Sequence, residues 1–191
     1  ARPMVERARV QYPELTFEVC DALALPFEGE FDVVFSNAVF HWIADHDTLL
    51  ENVKKALKPG GQLICEFGGA GNIAVVEQAF NRACEEMGLA VRAPRFNFPT
   101  PEEFSARLAH HGVTPVNVYD YDRPTPLKDG EQGLANWMRQ FFAGQLEALP
   151  EQTGQALLAR AEELARPELW DGDHWTADYR RLRAVARKPA E

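Results

Sequence analysis

The sequence predicts an α/β protein: a doubly wound, mostly parallel sheet, with an antiparallel last strand and helices inserted before it. Three observations carry this. Short apolar runs alternate with segments of helical period between Pro3 and Met87. Residues 31–36 are nearly all apolar and β-branched or aromatic, the pattern of a strand buried on both faces of a parallel sheet. Residues 179–187 set Leu182, Ala184 and Ala186 against Arg181, Arg183 and Arg187, which suits an antiparallel strand with one apolar face.

The elements follow in order. Pro3 opens a helix with Met4, Ala8 and Tyr12 on one stripe. Residues 15–19 read as a short strand and 31–36 as the next. Residues 47–57 form a helix with Leu49, Leu50, Val53 and Leu57 on one face. Pro59, Gly60 and Gly61 end it and lead into a strand over 62–67. An amphipathic helix over 73–87 stops at Gly88. The proline-bearing, aromatic stretch 93–101 is a loop over the sheet edge. Thr100 caps a helix over 101–111 that Gly112 ends, and 113–121 alternates as a strand. Pro150 separates two helices, 136–149 and 151–165. In this position the arginines at 180, 181 and 183 read as charges that protect an edge strand.

A chain of 191 residues can bury a sizeable core and is expected to be one domain. Within it, 1–90 form a cofactor-side core, 91–175 a helical cover on the substrate side, and 176–191 a closing strand and tail. The 20 basic against 29 acidic residues, a net charge of −9, argue against a nucleic-acid partner, whose affinity comes from phosphate neutralisation. No apolar run has the length to span a bilayer. Cys20, Cys65 and Cys84 are too scattered for a metal site or a disulfide framework. Cys20 and Cys65, in strand-like runs, are expected to be buried reduced thiols, which fits a cytoplasmic location. The sequence leaves the oligomeric state open.

In open α/β sheets ligands bind beyond the carboxyl ends of the strands, where Asp21 and Asn37 are expected. An ionised carboxylate accepts hydrogen bonds and cannot donate them, so Asp21 suits an exocyclic amine; the plainer role is a turn former after a strand. Phe40 reads as core, while Trp42 suits either core or a π wall beside a cationic centre. His41 and His46 lack further ligands at metal spacing and are expected to face solvent or cap a helix. Gly68-Gly69-Ala70-Gly71 lacks the spacing of a nucleotide-binding fingerprint.

Three blocks in this order, Asp21-Ala22, F-D-V-V-F-S-N-A over 31–38 and L-K-P-G-G over 57–61, resemble the second half of a class I S-adenosylmethionine-dependent methyltransferase core. The resemblance covers residues 1 to 67 well and the final strand more loosely. It implies S-adenosylmethionine as cofactor, with the Asp21 carboxylate and the Ala22 backbone N–H on the adenine. Asn37 and Ala38 would line the methionine side, and residues 39–42, Trp42 among them, the wall beside the methyl group. It also implies a strand, a glycine-rich loop, a helix and a second strand upstream of Ala1. Without them the chain is expected to bind cofactor weakly or not at all. The segment 136–142 and the closing D-Y-R-R-L-R-A-V-A-R resemble the small-molecule branch near trans-aconitate methyltransferase.

A carboxylate acceptor would need no general base, because it is ionised at neutral pH; catalysis would reduce to in-line positioning. Arg139 would orient the acid by a bidentate contact and Trp137 would wall it; a solvated helix face is the equally good reading of Arg139. A carbon or nitrogen acceptor would need a base, for which His41 is the candidate. The alternative function is a truncated or degenerate, non-catalytic domain of the same family. A dehydrogenase on a similar sheet is disfavoured by the Asp21-Ala22 and Asn37-Ala38 pattern.

Overall fold

The computed structural model describes residues 2–190. Its main sheet has the spatial order β1 (Phe31–Asn37), β2 (Leu57–Gly68), β6 (Arg180–Arg187) and β3 (Thr114–Asp122). β1 runs parallel to β2, and β6 runs antiparallel to both β2 and β3. Three strands therefore share one direction and the last alone opposes it, as the sequence predicts. A two-stranded ribbon, β4 (Thr125–Pro126) with β5 (Thr176–Ala177), closes the long excursion between β3 and β6.

The helices are α1 (Arg2–Gln11), α2 (His46–Ala56), α3 (Ala74–Glu86), α4 (Pro101–His110), α5 (Gly133–Phe141), α6 (Ala143–Glu147) and α7 (Glu151–Leu169). Their starts are encoded locally. Asp45 caps α2 by accepting from the Thr48 N–H at 3.0 Å. Thr100 and Glu103 satisfy each other's backbone N–H in a capping box, with Pro101 following at the first helical position. The start of α3 is held from a distance, because the Val75 N–H donates to Asp178 Oδ2 at 2.8 Å.

Two clusters carry the burial. In the first, Leu63, Cys65 and Phe67 of β2 and Leu182, Ala184 and Ala186 of β6 point to one face of the sheet. There they meet Leu49, Leu50 and Val53 of α2 and Phe104 and Leu108 of α4. The alanines of β6 leave room for Phe67 and Phe104, whose rings meet edge-on at 5.1 Å. The second cluster joins α3, α5 and α7, with Phe80 packed edge-on against Phe142 at 5.0 Å. The other face of the sheet carries Val33 and Phe35, 49% and 70% exposed, and a polar network in which Glu66 accepts from Tyr121 and Arg183.

Several expectations are corrected. Residues 15–19 form no strand: no described strand lies beside them to complete a ladder, and Leu15 and Val19 are exposed. Their tie is to α1, through Arg9 Nε donating to the Phe17 carbonyl at 3.0 Å. β1 is an edge strand with one covered face, so the reading of it as buried on both faces fails. β6 lies inside the sheet, and the arginines at 180, 181 and 183 protect no edge. The 136–149 helix breaks at Phe142, whose fully buried ring anchors the junction of α5 and α6. Cys20 is exposed, whereas Cys65 is buried and reduced. His46 is buried too, with Nε2 against the Phe40 carbonyl at 2.9 Å. Among the described residues no helix is long and apolar enough to cross a membrane, and none of the acidic, histidine or cysteine clusters suits a metal.

Next to the start of α3, burial first and then the charge of Asp178 push the Glu77 carboxyl up to about 7, and burial also raises Asp178. A carboxyl whose folded pKa lies above its unfolded value favours the folded state while protonated. That contribution is lost as pH rises from the ordinary glutamate range of about 4.3 through about 7. Glu77→Gln is expected to be more stable than the parent at pH 8. The difference should shrink to nothing near pH 4, as read from denaturant midpoints at both pH values.

Candidate active site

At the carboxyl end of β1 the chain leaves the sheet through Asn37 and Ala38, and Ala38 takes a left-handed φ of 56°. This bend throws residues 40–42 into a single 3₁₀ turn. Phe40 drops into the core at 3% exposure, settling it as a core residue, and His41 and Trp42 turn toward a cavity above the strand ends. The neighbouring strand contributes Gly68, whose N–H donates to His41 Nδ1 at 3.2 Å. Only glycine fits there: a Cβ at 68 would stand 2.4 Å from the Phe98 ring, which closes over the strand end.

The cavity, about 120 Å³, is walled by Trp42, Phe96, Phe98, Trp137, Phe141 and Tyr179. Trp42 meets Phe96 edge-on at 4.9 Å and stacks on Phe141 at 6.1 Å, while Trp137 lies 4.7 Å from Phe141. The 52% exposure of Trp42 makes it a wall at the mouth rather than core. Four polar side chains reach the cavity: His41, Asn72, Tyr179 and Arg181.

Arg181 differs from its neighbours. Arg180 is paired with Asp120 at 3.0 Å and Asp122 at 2.7 Å, and Arg183 with Glu66. The Arg181 side chain has no hydrogen bond or ion pair among the described residues; its guanidinium lies over the Tyr179 ring at 4.5 Å. Burial pulls its pKa below the ordinary arginine value. The Glu66 charge favours the cation from a distance but burial outweighs it, and a half-buried cation without a bonded counter-charge is costly unless an anion arrives. A larger groove of about 570 Å³ is lined by Asp120, Asp122 and Arg180, whose guanidinium is already paired with both carboxylates.

His41 is held neutral. Burial, then the charges of Arg181 and His46, bring its pKa down to about 4. With Nδ1 accepting from Gly68, the ring proton sits on Nε2, so the face turned to the cavity is a donor. An Nε2 that already carries its proton is not a general base, which is the physical objection to His41 in that role.

The other residues read from sequence are placed as follows. Ala38, His41, Trp42 and Trp137 come together around this cavity. Asn37 is exposed at the strand end, and the Ala38 N–H donates to the Glu66 carbonyl at 2.7 Å. Asp21 is exposed; its Oδ1 accepts from the Leu23 N–H at 3.0 Å, the turn-forming role, and leaves Oδ2 without a partner among the described residues. Ala22 and Leu23 pack against the first core cluster. Arg139 does not join Trp137. Two residues along a helix point to different sides, and Arg139 is exposed, donating to Asn136 Oδ1 at 2.9 Å. Arg181, Tyr179, Asn72 and Phe98 were missed. The one signal for the first two was the strand period placing 179 and 181 on the same face.

Residues 1–65 match the family model described as a methyltransferase domain. Over 180 residues the chain is 27% identical to an uncharacterized methyltransferase of Schizosaccharomyces pombe, covering 90% of this chain and 67% of that protein. Over 177 residues it is 29% identical to a trans-aconitate 2-methyltransferase of Sinorhizobium fredii, covering 88% of this chain and 68% of that one. Its fold is like that of the YcgJ protein from Bacillus subtilis, with a TM-score of 0.64 at 16% identity, covering 99% of this chain and 80% of the other. In sequence, over residues 1–65 above all, and in fold, the chain is similar to proteins named methyltransferases.

The His41 ring is expected to stay neutral, with its proton on Nε2, from pH 8 down to pH 5. Long-range ¹H–¹⁵N correlation spectra would check this; a ring that charges near pH 6.5 would contradict the buried, Gly68-bound geometry.

Proposed function

We propose that this chain catalyses methyl transfer from S-adenosylmethionine to a carboxylate oxygen of a small organic acid. The observation that carries the reading is Arg181: a partly buried, unpaired guanidinium in an aromatic cavity at the carboxyl ends of β1 and β2. A planar cation with a fork of donors matches a carboxylate better than any neutral acceptor. The relative from Sinorhizobium fredii, named for trans-aconitate, supports an acid of this kind.

The cofactor, when bound, supplies an electrophilic methyl group on a sulfonium. On this reading Asp21 Oδ2 accepts from the adenine amino group, with Ala22 against the ring, while Asn37, Ala38 and Trp42 border the methionine end. The exposed, acceptor-only Asp21 carboxylate and the π face of Trp42 suit those contacts chemically. The acid arrives ionised, so no proton has to be removed. Arg181 binds and orients it, His41 Nε2 donates to it, and Trp42, Trp137 and Phe98 exclude water and fix the approach. Arg139 has no part in this, and a nitrogen or carbon acceptor lacks the base it would need.

A second reading, a non-catalytic domain of the family that binds an acid in the same cavity, draws on α1, which buries none of its residues. Calorimetry with S-adenosylhomocysteine separates the two, since such a domain would bind the acid and not the cofactor.

Arg181→Ala is expected to weaken binding of trans-aconitate by about ten- to a hundredfold, the worth of a charged hydrogen-bonded contact. Arg139→Ala should stay within about twofold. Equal effects of the two, in calorimetric titrations, would sink the assignment. Asp21→Ala should cost about tenfold in S-adenosylhomocysteine affinity; an unchanged affinity would count against the adenine contact.

A further inference from the structure

We infer that Trp137, acting through the hydroxyl of Tyr179, helps set the hydrogen-bonding polarity of the acceptor cavity, so that it takes an ionised acid and turns away its neutral derivatives. The inference rests on the carboxylate reading above and goes further: it assigns selectivity to a residue otherwise read only as an aromatic wall.

Three of the four polar side chains on the cavity are amphoteric in principle. A neutral imidazole, a carboxamide and a phenol each hold a donor and an acceptor. In this structure the acceptor atom of each already takes an N–H of the protein, which fills the single lone pair of the imidazole and one of those on the amide and phenol oxygens. Gly68 N–H donates to His41 Nδ1 at 3.2 Å, and Arg180 N–H donates to Asn72 Oδ1 at 2.9 Å. Trp137 Nε1–H donates to the Tyr179 oxygen at 2.6 Å. What remains free toward the cavity is His41 Nε2–H, the Asn72 amide Nδ2–H₂, the Tyr179 O–H and the Arg181 guanidinium. Every one is a donor.

A cavity whose unbonded groups are donors asks for a ligand rich in acceptors. A carboxylate offers about four lone-pair sites and no proton. An amine, an amide or a protonated acid would set donor against donor and leave buried groups unpaired, which costs more than a missing attraction. Two of the three locks come from the backbone, and no side-chain substitution removes them. The third comes from the Trp137 indole, a donor with no acceptor to offer in its place, on a side chain 9% exposed. Without the indole N–H, the Tyr179 hydroxyl is free to rotate and accept, and the cavity loses part of its preference. The same phenol ring underlies Arg181 at 4.5 Å, so its placement also bears on the guanidinium.

The test uses Trp137→Phe, which keeps an aromatic wall and removes the N–H, together with Tyr179→Phe and the double variant. Calorimetry would titrate the full chain with trans-aconitate and, separately, with its uncharged triamide, which brings N–H donors in place of charge. Trp137→Phe is expected to weaken the acid by about three- to tenfold and to leave the triamide unchanged or tighter. The double variant should bind the acid no worse than Tyr179→Phe alone, because Trp137 acts through that hydroxyl. Equal weakening of acid and triamide, or losses that add in the double variant, would overturn the inference and reduce Trp137 to a wall. If the parent chain fails to bind trans-aconitate while the triamide binds, the carboxylate reading itself falls. That outcome is distinct from a parent that prefers the acid and a Trp137→Phe variant that prefers it just as strongly, which would sink only the role of Trp137.

Discussion

The site depends on one strand running the wrong way. β6 enters between β2 and β3 antiparallel to both, so its first residues stand beside the last residues of β2: Arg181 pairs with Gly68. Parallel insertion would have carried Tyr179 and Arg181 to the opposite end of the sheet, far from the 3₁₀ turn at 40–42. The ladder also brings Asp178 to the start of α3 and Arg180 against Asn72. A single topological choice therefore gathers the glycine-rich loop, the α3 start and the polar wall of the cavity above the carboxyl ends of the strands.

Burial then decides what those groups can do. Leu182, Ala184 and Ala186 pin β6 to the α2 and α4 side, and strict alternation sends Arg181 and Arg183 to the other. Arg183 bonds Glu66, whereas Arg181 makes no bond to that carboxylate and lies over the ring of Tyr179. The turn at 40–42 works in the same way. Phe40 is drawn into the core, which fixes the register in which His41 meets Gly68. Backbone groups that would otherwise lack partners at the ends of strands are satisfied by side chains of the site.

Much of this was legible in the sequence where the signal is local. The caps at Thr100 and the stops at Gly88 and Gly112 follow from residue chemistry at fixed offsets, and α2, α3 and α4 fall close to where their apolar periods put them. The alternation of β6 correctly announced an antiparallel strand. What it could not announce was the strand's neighbours, because pairing joins residues as far apart as Gln62 and Arg187 on one side and Thr114 and Arg187 on the other. That is why its arginines were read as edge charges and Arg181 was passed over. Arg139 belongs to the same resembling segment, 136–142, as Trp137, but on a helix two residues' spacing sends their side chains to different sides. The reading of 15–19 as a strand failed for a related reason: β-propensity makes a strand only where a partner completes the ladder.

The lone guanidinium has a consequence for how a catalytic cycle would end. On the carboxylate reading, the bound acid is the counter-charge that Arg181 lacks, and methylation erases it. The ester leaves the guanidinium as poorly compensated as it was before binding, in a cavity lined by no carboxylate of the protein. The charge that drew the acid in is consumed by the reaction, so product dissociation is built into the same residue that selects the substrate.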